Sequence, residues 1–141
     1  MADAVTNVVV QNDKRIYEVH MTCISDGTGE TNVVKIDRST LLAQDGAEPS
    51  RIDIEKVRWC IQGFTYIKLS FDHTTDDVAM VLSNNGYEDF ASMGDPAAAY
   101  SGTYLLQDPA SAGGTGDLLL TSIGATAGDT YDITLTCRLR S

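Results

Sequence analysis

Apolar and polar side chains alternate with a period of two residues along much of this chain. Between residues 131 and 139 every second side chain is apolar: Tyr131, Ile133, Leu135, Cys137 and Leu139. The side chains between them are polar or charged. Because a β-strand places successive residues on opposite faces, this pattern predicts strands with one buried face and one solvated face.

The same alternation recurs in segments that are separated by glycine, asparagine and aspartate, which favour turns. The candidate strands are residues 5–10, 16–24, 32–36, 56–62, 66–71, 78–82, 104–107, 117–122 and 130–140. A turn is predicted at 84–86, and helical signals are confined to short segments at 38–44 and 95–100. About nine short strands predict an all-β fold, a single-domain antiparallel β-sandwich of jelly-roll-like type.

Residues of the apolar parity are expected to form the core of this sandwich. The predicted core includes Tyr17, Val19, Trp59, Ile61, Leu69, Phe71, Ile133 and Leu135. The three cysteines, Cys23, Cys60 and Cys137, have no metal-ligand spacing, and their odd number argues against a complete set of disulfides. They are predicted to be reduced thiols buried in the core, without a redox or metal role.

The length of 141 residues fits one domain over 1–141, with residues 1–13 as either an N-terminal arm or an ordinary first strand. No apolar run approaches the roughly 20 residues of a membrane-spanning helix, so no membrane contact is expected. The N-terminus also lacks the basic and apolar regions of a secretory signal.

The charge of this chain is unevenly distributed. The formal net charge is −10, and residues 69–137 contain ten acidic side chains and no lysine or arginine. Nucleic acids are bound by basic side chains that replace condensed counterions, so no nucleic-acid partner is expected. The acidic surface is interpreted either as a solubilising face or as a face that meets a basic partner or lies outermost in an assembly.

Residues that could carry chemistry are few, and no catalytic or cofactor-binding residues are predicted. The chain has two histidines, His20 and His73, and lacks nucleophile-elbow, zinc-protease and phosphate-loop motifs. The loop after Phe71 brings His73 together with three carboxylates, those of Asp72, Asp76 and Asp77. Carboxylate oxygens suit calcium, so these three aspartates are a candidate metal site, and an acidic solvated hairpin is the alternative.

Four segments resemble small structural proteins of tailed-bacteriophage virions. The segments read RIDIEKVRWCIQG at 51–63, IKLSFD at 67–72, GTGDLLLTS at 114–122 and GDTYDITL at 128–135. Such proteins commonly have a tryptophan where this chain has Phe71. The resemblance implies a non-enzymatic β-sandwich without cofactor that decorates or cements a capsid. It also implies a homo-oligomer whose partners are the major capsid protein and copies of itself, on the capsid surface of a virion assembled in the host bacterial cytoplasm.

Contacts in such an assembly are expected to avoid the acidic loops. Candidate contact residues are Val8 and Val10 near the N-terminus and Arg138 and Arg140 near the C-terminus. Arginine suits interfaces because its planar group can pair with a carboxylate at two points, and a solvated strand end is the alternative. Two other functions remain open: a head–tail or tail structural component, and a carbohydrate-binding β-sandwich module. The latter would use exposed aromatic residues, for which the candidates are Tyr66, Tyr87, Tyr100 and Tyr104.

Overall fold

The computed structural model describes residues 3–90, 105–109 and 111–140, which contain nine β-strands. The strands are β1 (Ala4–Asn12), β2 (Ile16–Asp26), β3 (Val33–Ile36), β4 (Arg51–Gln62), β5 (Tyr66–Phe71), β6 (Asp77–Leu82), β7 (Asn85–Asp89), β8 (Leu118–Ile123) and β9 (Ala127–Arg140). A short 3₁₀ turn covers Arg38–Thr40, within the helical segment predicted at 38–44. No helix of the described residues is long and apolar enough to cross a membrane.

The strands form two antiparallel sheets, which confirms the predicted all-β sandwich. One sheet has the order β1-β2-β9-β4-β7 and the other has the order β3-β8-β5-β6. Four pairs are nested along the chain: β5 with β6, β4 with β7, β3 with β8 and β2 with β9. Because the members of each pair stand in the two arms of one long ribbon that folds over itself, the arrangement is a jelly roll. β1 is an additional strand at the edge of the larger sheet.

The core lies between the sheets and contains the apolar parity that the sequence predicted. Tyr17, Val19, Ile61, Leu69, Phe71, Ile133 and Leu135 are buried. The prediction for Trp59 was only partly right, because its side chain packs against the core but is half-buried. Trp59 lies opposite Gly86 of the edge strand β7, which has no side chain to cover the indole.

Other predictions differ from the structure at single positions. Cys60 is exposed, whereas Cys23 and Cys137 are buried, because Cys60 lies on the solvated parity of β4. The predicted turn at 84–86 overlaps the connection between β6 and β7, where Asn84 has a positive φ of 56°. Asn85 and Gly86 already belong to β7, where a glycine is needed for contact with Trp59. In the predicted strand 104–107, Leu106 forms one isolated bridge with Ile54. Residue 104 and the predicted helical turn at 95–100 lie outside the described residues.

Candidate functional site

The first strand presents an open edge and two exposed faces to the solvent. β1 pairs with β2 on one side, and no other strand of the described residues pairs with its other side. Eight of its nine residues are exposed, and Val5 alone is partly buried against the core. Val8 is 52% exposed and Val10 is 58% exposed. The predicted contact residues Val8 and Val10 therefore lie on an accessible strand without charged side chains.

This edge differs from the other sheet edges in its charge. The segment Ala4–Asn12 reads AVTNVVVQN and contains no charged side chain and no proline. In contrast, β7 carries Glu88 and Asp89, β6 begins with Asp77, and β3 contains Lys35. Exposed edges in natural proteins are usually protected by short length, charge or proline, because they can pair with a strand of another chain. β1 has one bulge, between Val9 and Gln11, and otherwise lacks these protections.

The C-terminal arginines have partners within their own chain. The Arg140 Nε lies 2.7 Å from an oxygen of the fully buried Asp53, which also pairs with Arg51 at 2.9 Å. The Arg138 guanidinium lies 3.1 Å from Glu55 Oε1. These ion pairs link β9 to β4 across the sheet and compensate two buried carboxylates, so they explain both arginines without an assembly contact.

The three aspartates of the candidate calcium site are directed to different partners. Asp72 Oδ2 accepts a hydrogen bond from the Thr115 hydroxyl at 2.7 Å, and Asp76 Oδ1 accepts one from the His73 backbone N–H at 3.1 Å. Asp77 faces the His73 ring instead. Asp72 and Asp76 thus stabilise the loop between β5 and β6, and the sequence cluster does not converge on one point.

A different cluster of ligand atoms forms around the buried ring of His73. Its Nε2 lies 2.6 Å from Asp108 Oδ1 and 3.8 Å from Asp77 Oδ2, and its Nδ1 lies 2.9 Å from the Gly113 carbonyl oxygen. Burial disfavours the charged imidazole, but the Gly113 hydrogen bond and the two carboxylates outweigh it and raise the pKa of His73. Asp108 belongs to the connection between β7 and β8, so no local sequence signal could associate it with His73.

The outer face of the larger sheet carries shallow polar grooves. One groove of about 260 Å³ is lined by Glu18, Lys56, Arg58, Tyr87, Thr134 and Thr136. The Arg58 guanidinium carbon lies 5.7 Å from the centre of the Tyr87 ring, within the range of a cation–π contact. Of the four tyrosines considered for carbohydrate binding, Tyr87 is exposed, Tyr66 is partly buried, and Tyr100 and Tyr104 lie outside the described residues.

Comparison with known proteins yields no relative: no family model, no curated protein and no solved structure matches this chain.

Proposed function

We propose that this protein is a non-enzymatic virion structural protein that decorates or cements a bacteriophage capsid as a homo-oligomer. The observation that carries the proposal is the open, uncharged edge of β1. The occupant of that edge is a second copy of the same strand. In this arrangement β1 adds to β1 of a neighbouring copy and joins two sheets into one.

The shape of β1 suits antiparallel pairing with itself. An antiparallel pair of identical strands is self-complementary about a two-fold axis, which is the commonest symmetry of protein dimers. Val8 is the central residue of Ala4–Asn12, so an axis beside it pairs the whole strand with its copy. Main-chain hydrogen bonds along the strand provide affinity, and side chains such as Val8 and Val10 provide apolar contact.

The distribution of charge also favours this edge for contact between copies. Each chain has a formal net charge of −10, so two copies repel each other over most of their surfaces. β1 has no charge of its own. Electrostatic repulsion between copies is therefore smallest when they meet along this strand, while the acidic loops remain in solvent.

The fold is compatible with a virion role but does not distinguish it from other functions of the same fold. Jelly rolls occur in viral capsid proteins and also in lectins and cupins. Function must therefore be argued from the surface rather than from the topology. A carbohydrate-binding module is the second candidate, because the exposed ring of Tyr87 lies beside Arg58 in a groove of the larger sheet.

The oligomeric state tests the role of β1. Sedimentation velocity of the full chain should show a dimer or higher oligomer, and Val10→Lys should shift it towards monomer by placing a charge at the edge. Val81→Lys is the matched control, since Val81 is also 58% exposed but lies on β6 of the other sheet. Added salt should strengthen self-association because it screens acidic repulsion. Equal behaviour of the two variants would contradict pairing through β1.

Capsid binding tests the virion role separately. Purified protein mixed with undecorated capsids of a tailed bacteriophage should co-sediment with them at a saturating number of copies. A glycan array and a Tyr87→Ala variant address the second candidate. Absence of capsid binding, together with saturable glycan binding that Tyr87→Ala abolishes, would replace the virion proposal with the carbohydrate-binding one.

A further inference from the structure

We propose that His73, Asp77 and Asp108 form a binding site for a divalent transition-metal cation, with Zn²⁺ as the best match. The three side chains come from the β5–β6 loop, the first residue of β6 and the connection between β7 and β8. Their ligand atoms all lie within 4.8 Å of one another. The site is independent of the proposed edge contact at β1.

The orientation of the His73 ring is the first argument for a cation. A carbonyl oxygen can only accept a hydrogen bond, so the contact with Gly113 requires the proton on Nδ1. In the neutral ring the lone pair then lies on Nε2, which is directed at Asp108 and Asp77. Metal-binding histidines commonly donate their other N–H to a backbone carbonyl or a carboxylate in this way.

The carboxylates provide the second argument. Asp77 Oδ2 is buried and accepts no hydrogen bond within the described part of the chain. Asp108 Oδ1 faces the same nitrogen, and the side chains of His73 and Asp108 are 7% and 3% exposed. A buried carboxylate oxygen without a donor is costly, and a cation between the two carboxylates would compensate it.

The charges around His73 allow a cation to take the place of a proton. Two carboxylates face one imidazole, and residues 69–137 supply no lysine or arginine. Arg38 approaches from outside this segment: a β-carbon at Gly116 would lie 3.2 Å from Arg38 Nε and 3.4 Å from Asp108 Oδ2. Arg38 Nε itself donates a hydrogen bond to the Thr115 carbonyl oxygen at 2.7 Å, while Asp108 Oδ1 is directed at His73. Without metal, a proton on Nε2 satisfies the short contact with Asp108, and a divalent cation would replace that proton.

The donor set selects the kind of cation. Imidazole nitrogen suits Zn²⁺ and neighbouring transition metals, whereas Ca²⁺ and Mg²⁺ prefer sites made entirely of oxygen. In a tetrahedral site with bonds of about 2.0–2.2 Å, ligand atoms are roughly 3.4 Å apart, so a small outward shift of Asp108 makes room. One position would remain for water. The bound ion would tie the β5–β6 loop to the segment that pairs with β4 through Leu106.

Calorimetric titration of the full chain with ZnCl₂ tests the site. One Zn²⁺ should bind per chain, and mM CaCl₂ should not compete. Asp77→Asn should weaken binding by about 10-fold or more, and His73→Gln should abolish it. Circular dichroism should show that Asp77→Asn, which keeps the size of the side chain, remains folded. In the wild-type protein, Co²⁺ should give the visible absorption of a site with nitrogen and oxygen ligands.

The other histidine supplies the matched control. His20 lies 2.6 Å from Asp132 on the outer sheet face, and both line a shallow groove with Cys60, so this group is the rival site for zinc. His20→Gln should leave the affinity for Zn²⁺ within about twofold of the wild type. Loss of binding in His20→Gln, or wild-type affinity in folded Asp77→Asn, would overturn the proposal. So would the absence of Zn²⁺ binding to the wild-type chain.

Discussion

The indole of Trp59 lies against Gly86 of the neighbouring strand, in the space where any other residue would place its β-carbon. A β-carbon at Gly86 would overlap the six-membered ring of Trp59, and the indole N–H donates to the Ser83 carbonyl oxygen at 3.0 Å. Gly86→Ala should therefore destabilise the protein by about 1–3 kcal/mol through overpacking. Urea unfolding measures this, and Asn85→Ala on the exposed parity should change stability by less than about 0.5 kcal/mol.

Truncation of Trp59 should cost less than truncation of a fully buried aromatic residue. Phe71 is 1% exposed, so Phe71→Ala should lower the free energy of unfolding by about 3–5 kcal/mol. Trp59 is half-buried and packs against the core, so Trp59→Ala should cost roughly 2–3 kcal/mol. The same urea titrations compare the two variants. A larger loss for Trp59→Ala than for Phe71→Ala would contradict the observed position of the indole.

The three thiols should differ sharply in reactivity. Burial is the main cause that raises the pKa of Cys23 to about 12, and burial also raises the pKa of Cys137, whereas Cys60 is exposed. Since the thiolate is the reactive form, Cys60 alone should react quickly with a thiol reagent in the folded protein. Denaturation without reductant should then reveal all three. Fast reaction of two or more thiols before unfolding would contradict this assignment.

A buried ion pair connects β3 with the loop before it and with β9. Lys35 Nζ lies 2.6 Å from Glu30 Oε2, and the Tyr131 hydroxyl donates to Glu30 Oε1 at 2.6 Å. Glu30→Gln leaves the lysine buried without its counter-charge, so it should destabilise the protein by about 3–5 kcal/mol. Asp132→Asn, at the exposed pair with His20, should cost at most about 1 kcal/mol. Similar losses for both variants would show that burial does not control these energies.

Folding of this chain should be slow. Ile16 pairs with Arg138, and the other nested strand pairs also join distant parts of the sequence. Closing the long loops between such strands lowers the chain entropy before the contacts can stabilise the fold. For this reason β-rich folds of this kind refold in milliseconds to seconds. Stopped-flow measurement of the fluorescence of Trp59, the single tryptophan, would follow this process. Complete refolding within microseconds would contradict the observed topology.

Much of the core could be read from the alternation of side chains alone. Along β2, every apolar residue from Tyr17 to Cys23 is buried, as its parity predicts. The same holds along β9 from Tyr131 to Leu139, and the polar residues of the other parity are more exposed in both strands. Alternation predicts the buried residues because the period of two is a property of the extended backbone itself. A strand that lies in the middle of a sheet buries one whole face, whichever strands are its neighbours.

The position of each strand within the sheets could not be read in this way. The valines of β1 look as apolar as those of a central strand, yet Val8, Val9 and Val10 are exposed because β1 lies at an edge. The half-buried state of Trp59 likewise depends on Gly86, which lies opposite it on β7. Edge and centre are decided by pairing between distant segments, for which local patterns carry no signal.

The cluster around His73 shows the same division. The sequence by itself placed His73 among the carboxylates of its own loop and determined the alternating core of an all-β chain. Only the tertiary structure shows that Asp72 and Asp76 bind backbone and hydroxyl groups instead of facing the His73 ring. Only the tertiary structure places Asp108 Oδ1 2.6 Å from His73 Nε2. The physical reason is that side-chain alternation is local, whereas the approach of Asp108 to His73 depends on contacts between segments far apart in sequence, such as the bridge between Leu106 and Ile54.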